Sequence, residues 1–239
     1  MKSELNDERF KDIVNEFRKH FTLHTLLLNG SYAREDFRKD SDIDFVIVSS
    51  EKLVSADLKH YFEEKIKIKS SVVIFSKESF EKEWQSGSLL IWFLVNESIV
   101  LYDDGYYSSK LLHCFRLKKD FTKDIRRELK KIQALKNIQK YRGDYSYLLG
   151  SLYGIYKNIA LYGIANSTQP VSNKFEAINA YYRSIGLECH EIEQICSLGA
   201  YYNFLNGPVV DVKPAGYDDK KLAIAMLNIN TKIKRFYDK

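Results

Sequence analysis

Asp42 and Asp44 stand two residues apart in SDIDFVIV, where a run of apolar residues begins. On a strand, residues two apart project to one face, which sets the two carboxylates side by side with Cα atoms roughly 7 Å apart. Two such anions repel each other unless one is protonated or a cation joins them, and hard oxygen ligands at an open site favour Mg2+ or Mn2+. Upstream, a second apolar run ends at Gly30-Ser31, where a helix over about 32–38 is expected to begin. A glycine lets a phosphate approach closely, a serine hydroxyl adds a donor, and the free N–H groups of a helix start favour negative charge. Arg34 and Arg38, four apart, would share a helix face and reach a polyphosphate. A phosphate cradle facing a carboxylate-held metal is what phosphoryl or nucleotidyl transfer requires, because that chemistry is mostly positioning and charge neutralisation.

These residues need elements to hold them. Apolar positions at Phe10, Ile13, Val14 and Phe17 have helical spacing, and Leu23 to Leu28 is a short apolar run closed by Asn29 and Gly30. Residues 42–49 are apolar on both faces after Asp44, the pattern of an interior strand covered on both sides. A helix near 53–65, a third strand entering the core at Val72 to Phe75, helices near 78–84 and 87–96, and a short strand in SIVLYDD complete an alternating α/β pattern. After Gly105 the period becomes helical throughout, with helices expected over about 107–141, 144–163, 172–184, 188–205 and 217–237. The boundary is therefore placed at 105: a first domain over 1–105 and a helical bundle over 106–239.

Charge changes at the same point. Residues 1–105 carry 15 Lys+Arg against 20 Asp+Glu, and residues 106–239 carry 22 against 12, so an acidic first part precedes a basic second part. A basic half of this kind faces an anion or is a solvated lysine-rich surface. With 239 residues, 45% hydrophobic, there is enough apolar material for a real core in each domain. No stretch reaches the roughly 18 uncharged apolar residues of a membrane span, and the charged, amphipathic start is unlike a signal peptide, so the cytoplasm is the default address. Cys114, Cys189 and Cys196 show no metal-ligand spacing and read as buried free thiols.

The stretch GSYAREDFRKDSDIDFVIV, inside apolar strands, resembles the signature of the polymerase-beta-like nucleotidyltransferase superfamily, in particular the minimal nucleotidyltransferases, where a GSYARG…SDIDL version is common. The resemblance covers about residues 5–104. It implies a small mixed sheet with helices packed on it (α/β, or α+β), Gly30 and Ser31 contacting nucleotide phosphates, and Asp42 and Asp44 binding catalytic magnesium. Two departures stand out. Glu35 occupies a place where many relatives carry glycine. The third carboxylate, which active members usually place on the next long strand as general base or metal ligand, is missing: KIKSSVVIF offers Ser70 and Ser71, and Glu63 and Glu64 precede the strand. Either another group supplies the base, with Asp144 ahead of Glu128 and Glu176 among the acids of the second half, or the protein binds nucleotide without turnover.

In the helical half, Tyr145, Leu149, Leu152, Tyr156, Ile159 and Tyr162 fall near one helical face and read as core, with Gly150 and Gly154 permitting close helix approach. The segment resembles, more loosely, HEPN domains and the carboxy-terminal domain of kanamycin nucleotidyltransferase-like enzymes. Arg183 and His190 fit the residue count of a HEPN ribonuclease pair, but Gly186 between them is expected to break the helix. The densest basic run, Lys118 to Lys131, lies on a helix whose apolar face is Ile125, Leu129, Ile132 and Leu135.

The sequence thus leads to an Mg2+- or Mn2+-dependent nucleotidyltransferase that moves a nucleoside monophosphate, AMP foremost, from an NTP, ATP foremost, to a hydroxyl of a small molecule or protein. The alternative is a nucleotide-binding regulatory or toxin–antitoxin-type protein without turnover. Nucleic acid is not favoured as a partner, no membrane is expected, and a homodimer stays open.

Overall fold

The computed structural model describes residues 8–37, 41–206 and 218–237. It divides the chain into two compact units, Met1–Lys118 and Lys119–Lys239. The first contains, in order, α1 (Glu8–His20), β1 (Leu23–Asn29), α2 (Gly30–Arg34), β2 (Ile43–Ser49), α3 (Ser55–Ile66), β3 (Ser70–Phe75), α4 (Lys77–Gln85), α5 (Leu89–Glu97), β4 (Ile99–Asp103) and α6 (Tyr106–Leu111). The strands form one mixed sheet in the order β3-β2-β1-β4. β1 is antiparallel to both β2 and β4, and β2 runs parallel to β3. A parallel neighbour needs a crossover, and α3 supplies it.

The two central strands are the two apolar runs, and their side chains fill cores on both faces of the sheet. One face buries Leu26, Leu28, Phe45 and Ile47 with Ile13, Val14 and Phe17 of α1 and Leu58 and Phe62 of α3. The other buries Leu27, Val46 and Val48 with Phe80 of α4, Ile91 and Leu94 of α5, and Tyr107 of α6. Serines start two of these helices, Ser76 Oγ accepting from Ser79 N–H and Ser88 Oγ from Ile91 N–H.

Side chains also tie down the sheet end remote from Asp44. Asp103 accepts hydrogen bonds from Thr25 Oγ1 (3.1 Å), Tyr107 N (2.9 Å), Ser108 N (2.8 Å) and Ser108 Oγ (2.6 Å), which launches α6 from β4. Burial pushes the Asp103 carboxyl up, but these donors outweigh it and hold it below the usual carboxylate value. His24 lies between Asp104 Oδ2 (2.7 Å) and Ser50 Oγ (2.6 Å), joining the ends of β1, β2 and β4.

The units divide later than the sequence boundary at 105, because α6 packs with the sheet: Tyr107 is buried there and donates to Leu94 O at 3.0 Å. The helix expected over 107–141 is three pieces, α6, α7 (Thr122–Leu135) and a 3-10 turn at Ile138–Tyr141. Between α6 and α7 the chain runs close along Gly87, whose carbonyl accepts from Lys118 N–H, and Asp120 then accepts from Thr122 N–H where α7 begins.

The described residues of the second unit form helices and their connections: α7, α8 (Ser146–Ser167), α9 (Lys174–Ser184), α10 (Cys189–Asn206) and α11 (Asp219–Tyr237). α8 is its centre. Tyr145, Leu149, Leu152, Tyr156 and Ile159 are buried as expected, and so are Leu148, Tyr153 and Ile155 on its other sides, so the helix is enclosed and not merely amphipathic. Two of the buried tyrosines find backbone acceptors, Tyr156 Oη donating to Met226 O (2.6 Å) and Tyr182 Oη to Tyr156 O (2.8 Å). Gly150 lets the Tyr201 carbonyl of α10 come close; a Cβ there would lie 3.1 Å from it. Cys114 and Cys189 are exposed, contrary to the expectation of buried thiols, and Cys196 is half-buried; all three are free. Among the described residues no helix is long and apolar enough to cross a membrane.

Candidate functional site

At the other sheet end β1, β2 and β3 bring three polar residues together, Asn29, Asp44 and Ser71. Asp44 pairs with Asn29 across the antiparallel ladder and with Ser71 across the parallel one. Ser71 Oγ donates to Asp44 Oδ1. Asn29 Oδ1 accepts from Ser98 Oγ at 3.1 Å, fixing the residue just before Gly30. The chain then turns sharply, with Gly30 at φ +70°, and a Cβ at this position would overlap Asp44 Oδ2. Glycine is required twice over here, by the left-handed backbone and by the carboxylate against it.

Asp42 immediately precedes β2 and is half-buried. Its charge reaches Tyr32 of α2: burial first, then Asp42, raises the Tyr32 phenol above its ordinary value. Both acids thus lie along the Gly30–Arg34 segment, Asp44 against Gly30 and Asp42 near Tyr32. Ser31 follows Gly30 in the first turn, where backbone N–H groups have no helical acceptor.

Arg34 is engaged with two carboxylates, Glu97 Oε2 at 3.1 Å and Asp36 Oδ1 at 3.2 Å. The helix expected to carry both Arg34 and Arg38 ends at Arg34, because Glu35 adopts a left-handed conformation at φ 64° and its N–H returns to Ser31 O. The shared helix face is therefore not formed, and Arg38 lies outside the described residues. The left-handed cap also accounts physically for the glycine at this place in GSYARG sequences: a side chain there costs about 1 kcal/mol. Glu35→Gly is expected to raise Tm by about 2–4 °C in a thermal melt; an unchanged or lower Tm would show that the Glu35 side chain compensates for its own strain.

Among the described residues no third carboxylate is placed with Asp42 and Asp44. Among the described residues no group of three or more His, Cys, Asp or Glu is placed to hold a metal ion. Glu63 is committed to the start of β3, its Oε1 accepting from Ser70 N–H at 2.9 Å. In the helical unit, Asp144 Oδ1 accepts from Ser146 N–H at 3.1 Å, a capping role. Glu128 is buried with Lys131 at 2.7 Å, and Glu176 is exposed in the first turn of α9. Arg183 and His190 lie on different helices, α9 and α10, separated by Gly186 at φ +83°. Two carboxylates still suit magnesium, which is commonly held by one or two of them together with substrate phosphates and water. Sequence reasoning missed Asn29, Glu97 and the Ser71–Asp44 hydrogen bond; only the last left a trace, as the serine found where an acid was sought.

Residues 11–107 match the family model described as polymerase beta, nucleotidyltransferase. No curated protein matches the sequence. Among solved structures, the spectinomycin adenyltransferase AAD(9) from Enterococcus faecialis, with ATP and spectinomycin, aligns over 98% of this chain and 99% of its own at 14% identity and a TM-score of 0.52. A toxin–antitoxin structure with AMP-PNP aligns over 43% of this chain and 78% of its own at 19% identity, TM-score 0.34. A nucleotidyltransferase-like protein from Exiguobacterium sibiricum aligns over 95% and 74% at 9% identity, TM-score 0.35. The first of these likenesses shows a shared fold over the aligned residues; the other two carry no structural argument. Residues 11–107 of this chain thus match a polymerase-beta-type nucleotidyltransferase domain, and the described residues of the unit that follows are helical.

Proposed function

We propose that the first unit binds a magnesium-bound nucleoside triphosphate, ATP foremost, at Gly30, Ser31, Asp42 and Asp44, and transfers its nucleoside monophosphate to a hydroxyl of a small molecule or protein. The observation that carries this reading is the packing of Asp44 directly against Gly30, which brings a metal-binding carboxylate and a phosphate-binding turn to one point. Gly30 lets phosphate oxygens approach the backbone, and Ser31 adds its N–H and hydroxyl as donors. Asp42 and Asp44 would hold Mg2+ or Mn2+, which neutralises triphosphate charge and polarises the phosphorus under attack. Arg34, tied to Glu97, braces the end of the turn and leaves the phosphates to backbone and serine donors. In the reaction the acceptor oxygen bonds to the α-phosphorus, the bond to the β-phosphate bridge breaks, pyrophosphate leaves, and the hydroxyl proton passes to a base. The fold relative solved with ATP and spectinomycin makes ATP the first donor to test and a small molecule the first acceptor class.

A second reading has its own observation. Ser71, not an acid, stands beside Asp44, so the strand that would offer a base offers a hydroxyl already donated to the metal-binding carboxylate. On that reading the protein binds nucleotide and regulates without turnover. Titration calorimetry with ATP, with and without magnesium, followed by incubation with α-labelled ATP, separates the two. Magnesium-dependent binding with release of pyrophosphate supports transfer. Binding without release supports the regulator, and no binding with or without magnesium ends both.

A further inference from the structure

The helical unit sorts its charges. On α7 the acids face inward and are neutralised, Asp124 by Arg127 at 3.0 Å and Glu128 by Lys131 at 2.7 Å, and Glu191 of α10 is buried against Lys232 of α11 at 2.6 Å. Lys123, Arg126 and Lys130 remain exposed along one stripe of α7, a length of about 10 Å, without a carboxylate partner among the described residues. Arg126 Nη2 donates to Tyr237 O at 3.3 Å, which leaves its charge uncompensated and brings the stripe to the end of α11. There Lys234 and Arg235 are exposed and Phe236 is 50% exposed beside them. The exposed glutamates Glu176, Glu188 and Glu193 belong to α9, α10 and the turn between them.

Lys234 and Arg235 suit a helix C-terminus, but Lys123 does not suit the place it occupies. It sits in the first turn of α7, where the helix dipole already concentrates positive charge and where a base works against the fold. An anion laid along this surface would relieve that repulsion. We propose that the α7–α11 surface binds single-stranded nucleic acid, its phosphates following Lys123, Arg126, Lys130, Lys234 and Arg235 while Phe236 stacks a base. The acids of α7 itself are already paired with its own bases, so a cationic small molecule gains little from them, and an acidic peptide would leave Phe236 unused.

The proposal does not depend on the nucleotide site, and the test keeps the two apart. A fluorescein-labelled 20-nucleotide RNA of mixed sequence and the DNA of the same sequence are titrated with the full chain by anisotropy at several salt concentrations. Micromolar binding at 50 mM salt is expected, weakening with a log–log slope of about −3 to −4. The variant combining Lys123→Glu, Arg126→Glu and Lys130→Glu is expected to bind at least 30-fold more weakly with a flatter slope, and Phe236→Ala about fivefold more weakly. RNA-only binding and binding of both strands each support the proposal and identify the source of the phosphates. It is overturned if neither oligonucleotide binds, if the triple variant binds like the parent while retaining its melting temperature, or if poly-glutamate displaces RNA at equal charge concentration. ATP–magnesium calorimetry on the triple variant is expected to match the parent, and Asp44→Asn is expected to bind RNA as the parent does, so the two sites fail separately.

Discussion

Asp44→Asn is expected to abolish magnesium-dependent ATP binding and to lower any nucleotidyl transfer by at least about 100-fold, while the melting temperature stays within a few degrees of the parent. Loss of a group that merely orients a metal ligand already costs about 10–100-fold, and Asp44 is proposed as a ligand itself. Asparagine keeps the shape of the side chain and an oxygen to accept from Ser71 Oγ, so the fold loses little. The charge is what disappears. Asp42→Asn is expected to act in the same direction. Calorimetry, a transfer assay and a thermal melt on the same preparations make the comparison. An Asp44→Asn protein that binds ATP–magnesium like the parent would place the ion elsewhere and end the proposed assignment.

Gly30→Ala is expected to be severe in a different way, lowering both nucleotide affinity and stability. The left-handed backbone alone costs a side chain about 1–2 kcal/mol, and the new methyl would also overlap Asp44 Oδ2. Either the carboxylate moves or the turn opens, and each change spoils the same point. A loss of at least tenfold in ATP affinity is expected, with a fall in Tm of several degrees. Gly143→Ala provides the control, because Gly143 also has a positive φ (90°) yet has open space where the Cβ would go. It carries the backbone cost without the overlap. Equal effects of the two substitutions on ATP binding would show that contact with Asp44 is irrelevant to the site.

The parts of this protein legible in its sequence are those decided by short-range pattern. The apolar runs LHTLLLN and IDFVIVS became the two central strands because strands covered on both faces leave no polar alternation to confuse the reading. The enclosed tyrosine-rich helix α8 was legible for a related reason, since its length and apolar content have few other uses. Less legible was the region after Gly105. Apolar spacing there suited one long helix, but the burial of Tyr107 and the passage of the chain along Gly87 were decided by residues far away in sequence. Arg34 shows the limit most clearly: its spacing from Arg38 promised a shared helix face, whereas a left-handed Glu35 ended the helix, and Glu97, distant in the chain, took the guanidinium.

By itself the sequence determined an α/β domain that carries the glycine–serine and aspartate pairs, with a helical unit after it, because alternation, helical period and those pairs are all local. Tertiary structure alone decided that Asp44 rests on Gly30 and shares a hydrogen bond with Ser71, that Arg34 is held by Glu97, and that the acids of α7 are neutralised while its bases stay exposed. The reason is physical. Those outcomes depend on strand register and helix docking, which bring together residues that no spacing along the chain relates.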